Sequence, residues 1–346
     1  MIEGNNILTV GVDCSRVLGG VSAVEMEYSK LYKHWQHVTT ATTGSAFKKW
    51  IIFMLGLIKF LYFMIFNKKI EIVHIHGASY SSFWRKRIII NISKFFNKKT
   101  IFHCHGAEFK LFTMKNKKSV VKTLNKCDCI VCLSESWKKW FDEICDCKYI
   151  VIIKNIIPNP KIYSTQMKFD IDSVKILFLG ELGKRKGIYD LLYAVASMDK
   201  NRIKLLYGGN GDVEKVAQLA RELKITDKVE YLGWVSGERK VQVLNEADIF
   251  VLPSYNEGLP ISILEAMSYR IPIISTFVGG IPEIVHNKVN GFIINPGDNK
   301  GLRESLEILA QNEQMRLKMG LESERLVKSH LPESVENQLK NLYSSL

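Results

Sequence analysis

Two glutamates eight residues apart stand out in the run Ser254-Tyr255-Asn256-Glu257-Gly258-Leu259-Pro260-Ile261-Ser262-Ile263-Leu264-Glu265. The apolar stretch 247–252 before them reads as a buried strand that Pro253 ends. Pro260 suits the first position of a following helix, where its missing N–H costs nothing. Glu257 therefore belongs to a strand-to-helix turn and Glu265 to the helix. Open α/β sheets take their ligands at such turns, and the free amides of a helix's first turn attract anions. Eight helical residues rise about 12 Å, which predicts two carboxylates at opposite ends of an elongated ligand with phosphates between. Acids that accept hydroxyl protons around a phosphate cradle describe a nucleotide-sugar site. An arbitrary glutamate pair is usually two solvated helix charges; the strand-loop-helix setting argues against that here.

Other segments offer partners for such a ligand. Gly180-Glu181-Leu182-Gly183-Lys184-Arg185-Lys186-Gly187 follows a predicted strand at 174–179. Lys184, Arg185 and Lys186 at a loop-to-helix turn are able to clamp a diphosphate through charge-assisted bonds. A solvated charge run is the ordinary alternative, and the place at a strand's carboxyl end favours a function. Gly19-Gly20, between a strand at 7–12 and a helix at about 23–33, lets backbone amides approach a phosphate with no Cβ in the way. Gly208-Gly209-Asn210-Gly211 follows a strand at 203–207, but Glu214 stands where a dinucleotide fingerprint needs its third glycine. A nicotinamide-dependent oxidoreductase is thus the weaker rival. His103-Cys104-His105-Gly106 closes one strand and His74 and His76 another; His105, before a glycine, is the candidate near a reacting sugar. Asp170-Ile171-Asp172 has the D-x-D form of metal-dependent sugar transferases, yet it precedes a strand instead of following one. Cys127-Asp128-Cys129 and Cys145-Asp146-Cys147 lack finger or ribbon spacing, and thiols beside an apolar strand behave as small hydrophobes. No metal site is expected.

Strands at 71–75, 100–104, 129–133 and 150–153 alternate with helices, pause at Pro158-Asn159-Pro160, and resume at 174–179, 203–207, 229–232, 248–252, 272–275 and 291–294. Such alternation predicts parallel sheets covered by helices on both faces. Two domains follow, 1–160 with a returning segment 331–346, and 161–330. The chain's 346 residues suffice for both. Its seven cysteines, an odd number, and the absence of a secretory h-region in residues 1–12 indicate a reducing cytoplasm. The net charge of +13 sits in one place. Residues 1–160 hold 24 Lys and Arg against 11 Asp and Glu, and residues 161–346 hold 24 against 24. A cationic first domain faces an anionic partner. Nucleic acid is not that partner, because the aromatics do not interleave with the basic runs. Residues 50–66 are apolar nearly all round, broken by Lys59 and flanked by Lys48-Lys49 and Lys68-Lys69. The run is short for a membrane span. It predicts a helix with one face on the sheet and one touching lipid headgroups.

Taken together, Glu257 through Glu265, Lys186-Gly187, Val278-Gly279-Gly280-Ile281-Pro282-Glu283, Gly19-Gly20 and His105-Gly106 resemble glycosyltransferase family four over nearly the whole chain. The resemblance implies a GT-B architecture: α/β, two facing Rossmann-like domains with parallel sheets and an interdomain cleft. The first domain and C-terminal helix would bind acceptor and the second the donor. It implies retention of anomeric configuration and a UDP- or GDP-sugar as co-substrate, with no permanently bound cofactor. Glu257 would contact the sugar and Glu265 the ribose, with Gly258 and Leu259 meeting sugar and phosphate through their backbone. Lys186, with Lys184 and Arg185, would hold the diphosphate, and His105 would lie near the donor sugar. Gly19, Gly20, Asn210 and Gly211 complete the donor-binding set. With no carboxylate placed as a nucleophile, front-face attack assisted by the leaving phosphate is the expected course. The acceptor would be a lipid-linked, polyprenyl diphosphate glycan or another glycan of cell-surface polysaccharide synthesis, met at the inner face of the cytoplasmic membrane. One departure is notable: Glu181 stands where the family commonly has an arginine, which keeps a non-catalytic nucleotide-sugar-binding homologue as the alternative.

Overall fold

The computed structural model describes residues 1–15, 19–163, 173–198 and 203–346; Leu18 and Asp170-Ile171-Asp172 lie outside them. The chain divides into two compact units, Met1–Ile157 with His330–Leu346, and Pro158–Ser329. The sequence-based divisions after 160 and before 331 thus lie a few residues from those of the contacts.

The first unit is built on β1 (Ile7–Val12), β2 (His37–Ala41), β3 (Ile72–Gly77), β4 (Lys99–Cys104), β5 (Cys129–Cys132) and β6 (Tyr149–Ile152). They form one sheet in the order β2-β1-β3-β4-β5-β6, parallel throughout. Strands covered on both faces must be apolar on both, and Leu8, Val10, Val73, Ile75, Phe102 and Ile130 are fully buried. The connections are α1 (Gly20–Ser29), α2 (Ala46–Phe66), α3 (Ser81–Phe95), α4 (Phe109–Leu124) and α5 (Glu135–Ile144). Strand order reverses between β1 and β3, so the loops leaving those strands open beside each other at their carboxyl ends.

Two local predictions need correction. The first helix ends at Ser29, not near residue 33, because Tyr32 pairs with Ile2 and Lys33 N–H donates to the Ile2 carbonyl at 2.8 Å. Edge strand β2 was not foreseen; its His-Val-Thr-Thr-Ala run alternates half-buried and buried residues.

Helix α2 spans 21 residues and contains an 18-residue window with a mean hydropathy of 1.9, long and apolar enough by composition to cross a membrane. In this structure it lies on the sheet edge: Phe53, Gly56, Phe60 and Met64 are buried, while Trp50, Leu55, Ile58, Tyr62 and Ile65 are exposed. Gly56 sets the approach, since a Cβ there would stand 2.1 Å from the Thr39 carbonyl oxygen.

The second unit repeats the plan with β7 (Val174–Leu179), β8 (Ile203–Gly208), β9 (Val229–Tyr231), β10 (Ile249–Leu252), β11 (Ile273–Thr276) and β12 (Gly291–Ile294). Their order is β12-β11-β10-β7-β8-β9, again parallel, with the reversal between β7 and β10. Helices α6 (Ile188–Ala196), α7 (Val213–Glu222), α8 (Gly237–Glu246), α9 (Ile261–Ser268), α10 (Asn299–Gln311) and α11 (Glu313–Val327) cover the faces. The chain then returns to the first unit through α12 (Pro332–Ser344), where Tyr343 and Tyr32 hydroxyls meet at 2.5 Å.

Because α2 rests on Gly56, Gly56→Ala forces the helix off β2 and costs about 1–3 kcal/mol, the usual range for overpacking. A urea titration followed by circular dichroism reads this as a lower unfolding midpoint. An unchanged midpoint would mean that α2 is free to lift.

Candidate functional site

In the second unit the loops that leave β7 and β10 hold most of the predicted residues. After β10 the chain turns at Pro253, and its turn is stitched to β11: Ser275 Oγ donates to the Leu252 carbonyl at 2.6 Å and Thr276 Oγ1 to that of Ser254 at 2.5 Å. Glu257 follows, 7% exposed. Its Oε1 accepts from Ser254 Oγ at 3.0 Å and pairs with Lys186 Nζ. Isolated buried carboxylates are strongly disfavoured, so Lys186 is what permits Glu257 to sit there. Glu265, equally buried in α9, is paired in the same way: Lys240 Nζ of α8 lies 2.6 Å from its Oε1.

The backbone around Glu257 is pressed from two sides. Gly279 has φ +55° and a Cβ there would lie 2.0 Å from the Glu257 carbonyl oxygen; Gly280 N–H donates to the Gly258 carbonyl at 2.7 Å. Gly187 has φ +75°, and its Cβ would meet the Pro253 oxygen at 2.1 Å. These are left-handed conformations that glycine adopts without penalty. They explain why the two glycine motifs are bound to the glutamate loop. Leu259 is buried. Pro260 is the residue before α9, one earlier than expected, and no side chain caps that helix start, so its first amides have no side-chain acceptor among the described residues. Since α9 begins at Ile261, Glu257 precedes it by four residues, and the 12 Å helical spacing does not describe the pair.

The loop after β7 is a 3-10 turn, Lys184–Lys186. Lys184 is exposed. Arg185 Nη2 lies 2.7 Å from Glu181 Oε2 and Nη1 lies 4.0 Å from Glu257 Oε1. Asn210 and Gly211, exposed after β8, are tied to this loop, because Leu182 N–H donates to the Asn210 carbonyl at 2.6 Å. Lys240, Ser254 and the Arg185–Glu181 pair escaped sequence reasoning. Only an i, i+4 spacing hinted at the last of them.

Gly19, Gly20 and His105 belong to the first unit. Gly19 and Gly20 are exposed at the start of α1, with nothing within 4 Å of a Gly19 Cβ. Behind them the end of β1 is held by Glu25 of α1, whose carboxylate accepts from Val12 N–H at 2.9 and 3.1 Å. Lys86 of α3 donates to the Gly11 carbonyl at 3.2 Å and to Thr40 Oγ1. Burial raises the Glu25 carboxyl and lowers the Lys86 ammonium, and each charge opposes the other's shift.

His105 heads a stack of four imidazoles. His76 Nδ1 and His105 Nε2 are 2.9 Å apart, His74 Nε2 and His103 Nδ1 3.2 Å, and His74 Nδ1 meets Tyr343 Oη at 2.7 Å. His74, His76 and His103 are buried and present nitrogens within 4.8 Å of one another. Their rings, however, stack at 14–29°. The hydrogen bonds join His74 to His103 and His76 to His105, so the set reads as a ladder of two bonded pairs stacked on each other, with His103 Nε2 buried and without a hydrogen-bond partner among the described residues. Burial pushes His74 down to about 3 and holds His76 and His103 well below the usual histidine range.

Against known proteins, residues 22–158 match the family described as Glycosyltransferase Family 4, and residues 161–325 the one described as Glycosyl transferases group 1. N-acetyl-alpha-D-glucosaminyl L-malate synthase of Bacillus anthracis is 30% identical over 186 residues, 52% of this chain and 48% of that protein. Capsular polysaccharide biosynthesis glycosyltransferase CapM of Staphylococcus aureus is 26% identical over 193 residues, 55% of this chain and 50% of that one. The chain thus spans about half the length of these curated relatives. Among solved structures, HepE of Anabaena in complex with UDP has a TM-score of 0.80 at 16% identity, over 99% of this chain and 100% of that one. The two parallel six-stranded sheets are those of the GT-B fold.

The ladder has a consequence for acid stability. Neutral in the folded protein down to low pH, these histidines protonate near 6.5 once unfolded. Their stabilisation is complete above that value and is lost as pH falls from 6.5 toward 3. Each contributes about 1.4 kcal/mol per pH unit to the slope. Urea unfolding at pH 7.5, 6, 5 and 4 should show a steepening loss, and His74→Gln a shallower one. A flat profile would mean that the histidines are solvated.

Proposed function

This chain belongs to glycosyltransferase family 4, and from that premise we propose that it moves a sugar from a nucleoside diphosphate-sugar to a lipid-linked or glycan acceptor in cell-surface polysaccharide synthesis. The observation that carries the reading is the pair of buried carboxylates, Glu257 and Glu265, each held by a lysine at the carboxyl end of the second sheet. HepE, of the same fold, has been solved with UDP and with UDP-glucose, which supports a UDP-sugar over a GDP-sugar as donor.

In this reading a sugar hydroxyl donates to Glu257 and displaces Lys186, whose ammonium turns to the diphosphate. Ribose hydroxyls do the same at Glu265. Lys184, Arg185, the backbone of Gly258 and Leu259, and the first amides of α9 supply positive potential for the departing diphosphate, and such electrostatic stabilisation is commonly the largest catalytic contribution. Asn210 and Gly211 border the donor through the loop they pin. Glu257 is then committed to Ser254 and the sugar, so the acceptor attacks from the face the diphosphate leaves. A phosphate oxygen takes the acceptor's proton, and configuration is retained. Within the first unit, Gly19 and Gly20 offer exposed backbone amides. His105 is kept neutral by burial, which disfavours the imidazolium, and so presents a neutral imidazole for hydrogen bonding.

The acceptor's location is inferred from charge and exposure. The excess of +13 resides in residues 1–160, and α2 turns Trp50, Ile58 and Tyr62 outward beside Lys48, Lys49 and Lys59. An apolar helix face ringed by lysines fits an anionic bilayer surface, which supports a location at the inner face of the cytoplasmic membrane, near a polyprenyl diphosphate acceptor.

Lys186→Ala should lower kcat/KM by about 10²–10³, the loss typical of a transition-state charge partner; turnover within a few-fold of wild type would remove Lys186 from the reaction. Sedimentation with vesicles should require anionic lipid and weaken between low and high salt. Binding indifferent to both would refute the membrane assignment.

A further inference from the structure

Glu181 places a negative charge at the mouth of a loop that, on the donor reading above, must receive a diphosphate. We infer that Glu181 is a positioning residue: it aims the Arg185 guanidinium so that the diphosphate meets Arg185 and Lys186 together. The inference rests on that reading and deepens it.

The geometry divides the guanidinium between two loops. Nη2 lies 2.7 Å from Glu181 Oε2, while Nη1 reaches the other way, 3.4 Å from the Asn256 carbonyl and 4.0 Å from Glu257 Oε1. The Arg185 backbone is fixed as well, its carbonyl accepting from Tyr255 N–H at 2.8 Å. Arg185 and Lys186 thus both approach one oxygen of Glu257, from adjacent positions of a 3-10 turn. A guanidinium has five N–H donors in a rigid fork, so the contacts to Glu181 and Asn256 orient it and leave others for phosphate oxygens. Without Glu181, a long side chain that is 42% exposed would sample many rotamers and meet the ligand at an entropic cost.

Stability does not explain the pair. Glu181 is 56% exposed, and exposed ion pairs contribute little to folding. If Glu181 has a role, it shows in ligand binding and not in thermal unfolding. The opposite arrangement, an acid that simply repels the diphosphate, predicts that its removal tightens binding.

The test uses the full chain, with UDP and GDP titrated in parallel by calorimetry, uridine and guanosine as controls without phosphate, and unfolding temperature as the structural control. Arg185→Gln should weaken the preferred nucleotide roughly tenfold or more, as loss of a charge-assisted bond does. Glu181→Gln should weaken it several-fold and Glu181→Asp less. Because Glu181 acts through Arg185, the double variant should bind no worse than Arg185→Gln alone. Nucleoside binding and unfolding temperature should stay at wild-type values. Tighter or unchanged binding by Glu181→Gln, additive losses in the double variant, or equal losses for the nucleosides would overturn the inference and leave the donor reading standing. A wild-type protein that binds neither UDP nor GDP sinks both.

Discussion

A carboxylate withdrawn from water needs a cation or several donors at its own depth, and that requirement organises the second unit. Glu257 and Glu265 are both 7% exposed, and each has taken a lysine from a different element, Lys186 from the turn after β7 and Lys240 from α8. Neither lysine is near its glutamate in sequence, so burial of the acids joins three segments of chain. A buried ion pair is a weak source of stability, because desolvation consumes most of its Coulomb attraction. Its physical effect is different: it stores two charges of each sign where a polar ligand is able to exchange partners with them.

Topology decides where that store sits. In each unit one reversal of strand order, between β1 and β3 and between β7 and β10, opens two loops side by side at the carboxyl ends. The second unit uses its reversal fully, with the cationic turn on one lip and the glutamate loop on the other. Backbones there approach so closely that Gly187 and Gly279, both at positive φ, have no room for a side chain. The first unit places Gly19 and Gly20 at the equivalent lip and His105 one strand further along. Behind that lip stand the Glu25–Val12 bonds and the neutral histidine ladder, so its rigidity depends on groups that must stay uncharged or paired.

Most of this was legible in the sequence for a physical reason. Parallel strands buried on both faces are largely continuous apolar runs, and eleven of the twelve strands among the described residues coincide with predicted ones, the half-exposed Val-Glu-Tyr of β9 by its neighbours more than by its own composition. Edge strand β2 did not, since its run His37-Val38-Thr39-Thr40-Ala41 is short and polar at three of its five positions. The two glutamates, the basic loop and the glycines that must be glycines were visible because local chemistry confines them to few conformations. Lys240 was not, because nothing in a solvated-looking helix marks which lysine will meet a carboxylate 25 positions away. The helical spacing assigned to Glu257 and Glu265 failed for a related reason: Pro260 with ψ 122° stands outside the helix, so the turn, and not a helical rise, sets the relation of the two acids.

The placement of Glu181 shows how a site keeps its electrostatics when one residue changes sign. Arg185 lies four positions on, across a 3-10 turn, and its guanidinium reaches both back to Glu181 and forward to the Glu257 loop. Counting Lys184, Arg185 and Lys186 against Glu181 and Glu257, the local balance stays positive by one charge. The acid costs the loop net charge but orders a cation that would otherwise wander. For a dianionic ligand, direction matters as much as total charge, since interaction falls with distance and is screened at the surface. A held arginine at hydrogen-bond range outweighs a free one several ångströms away, which is how an apparent defect in the phosphate loop becomes part of its construction.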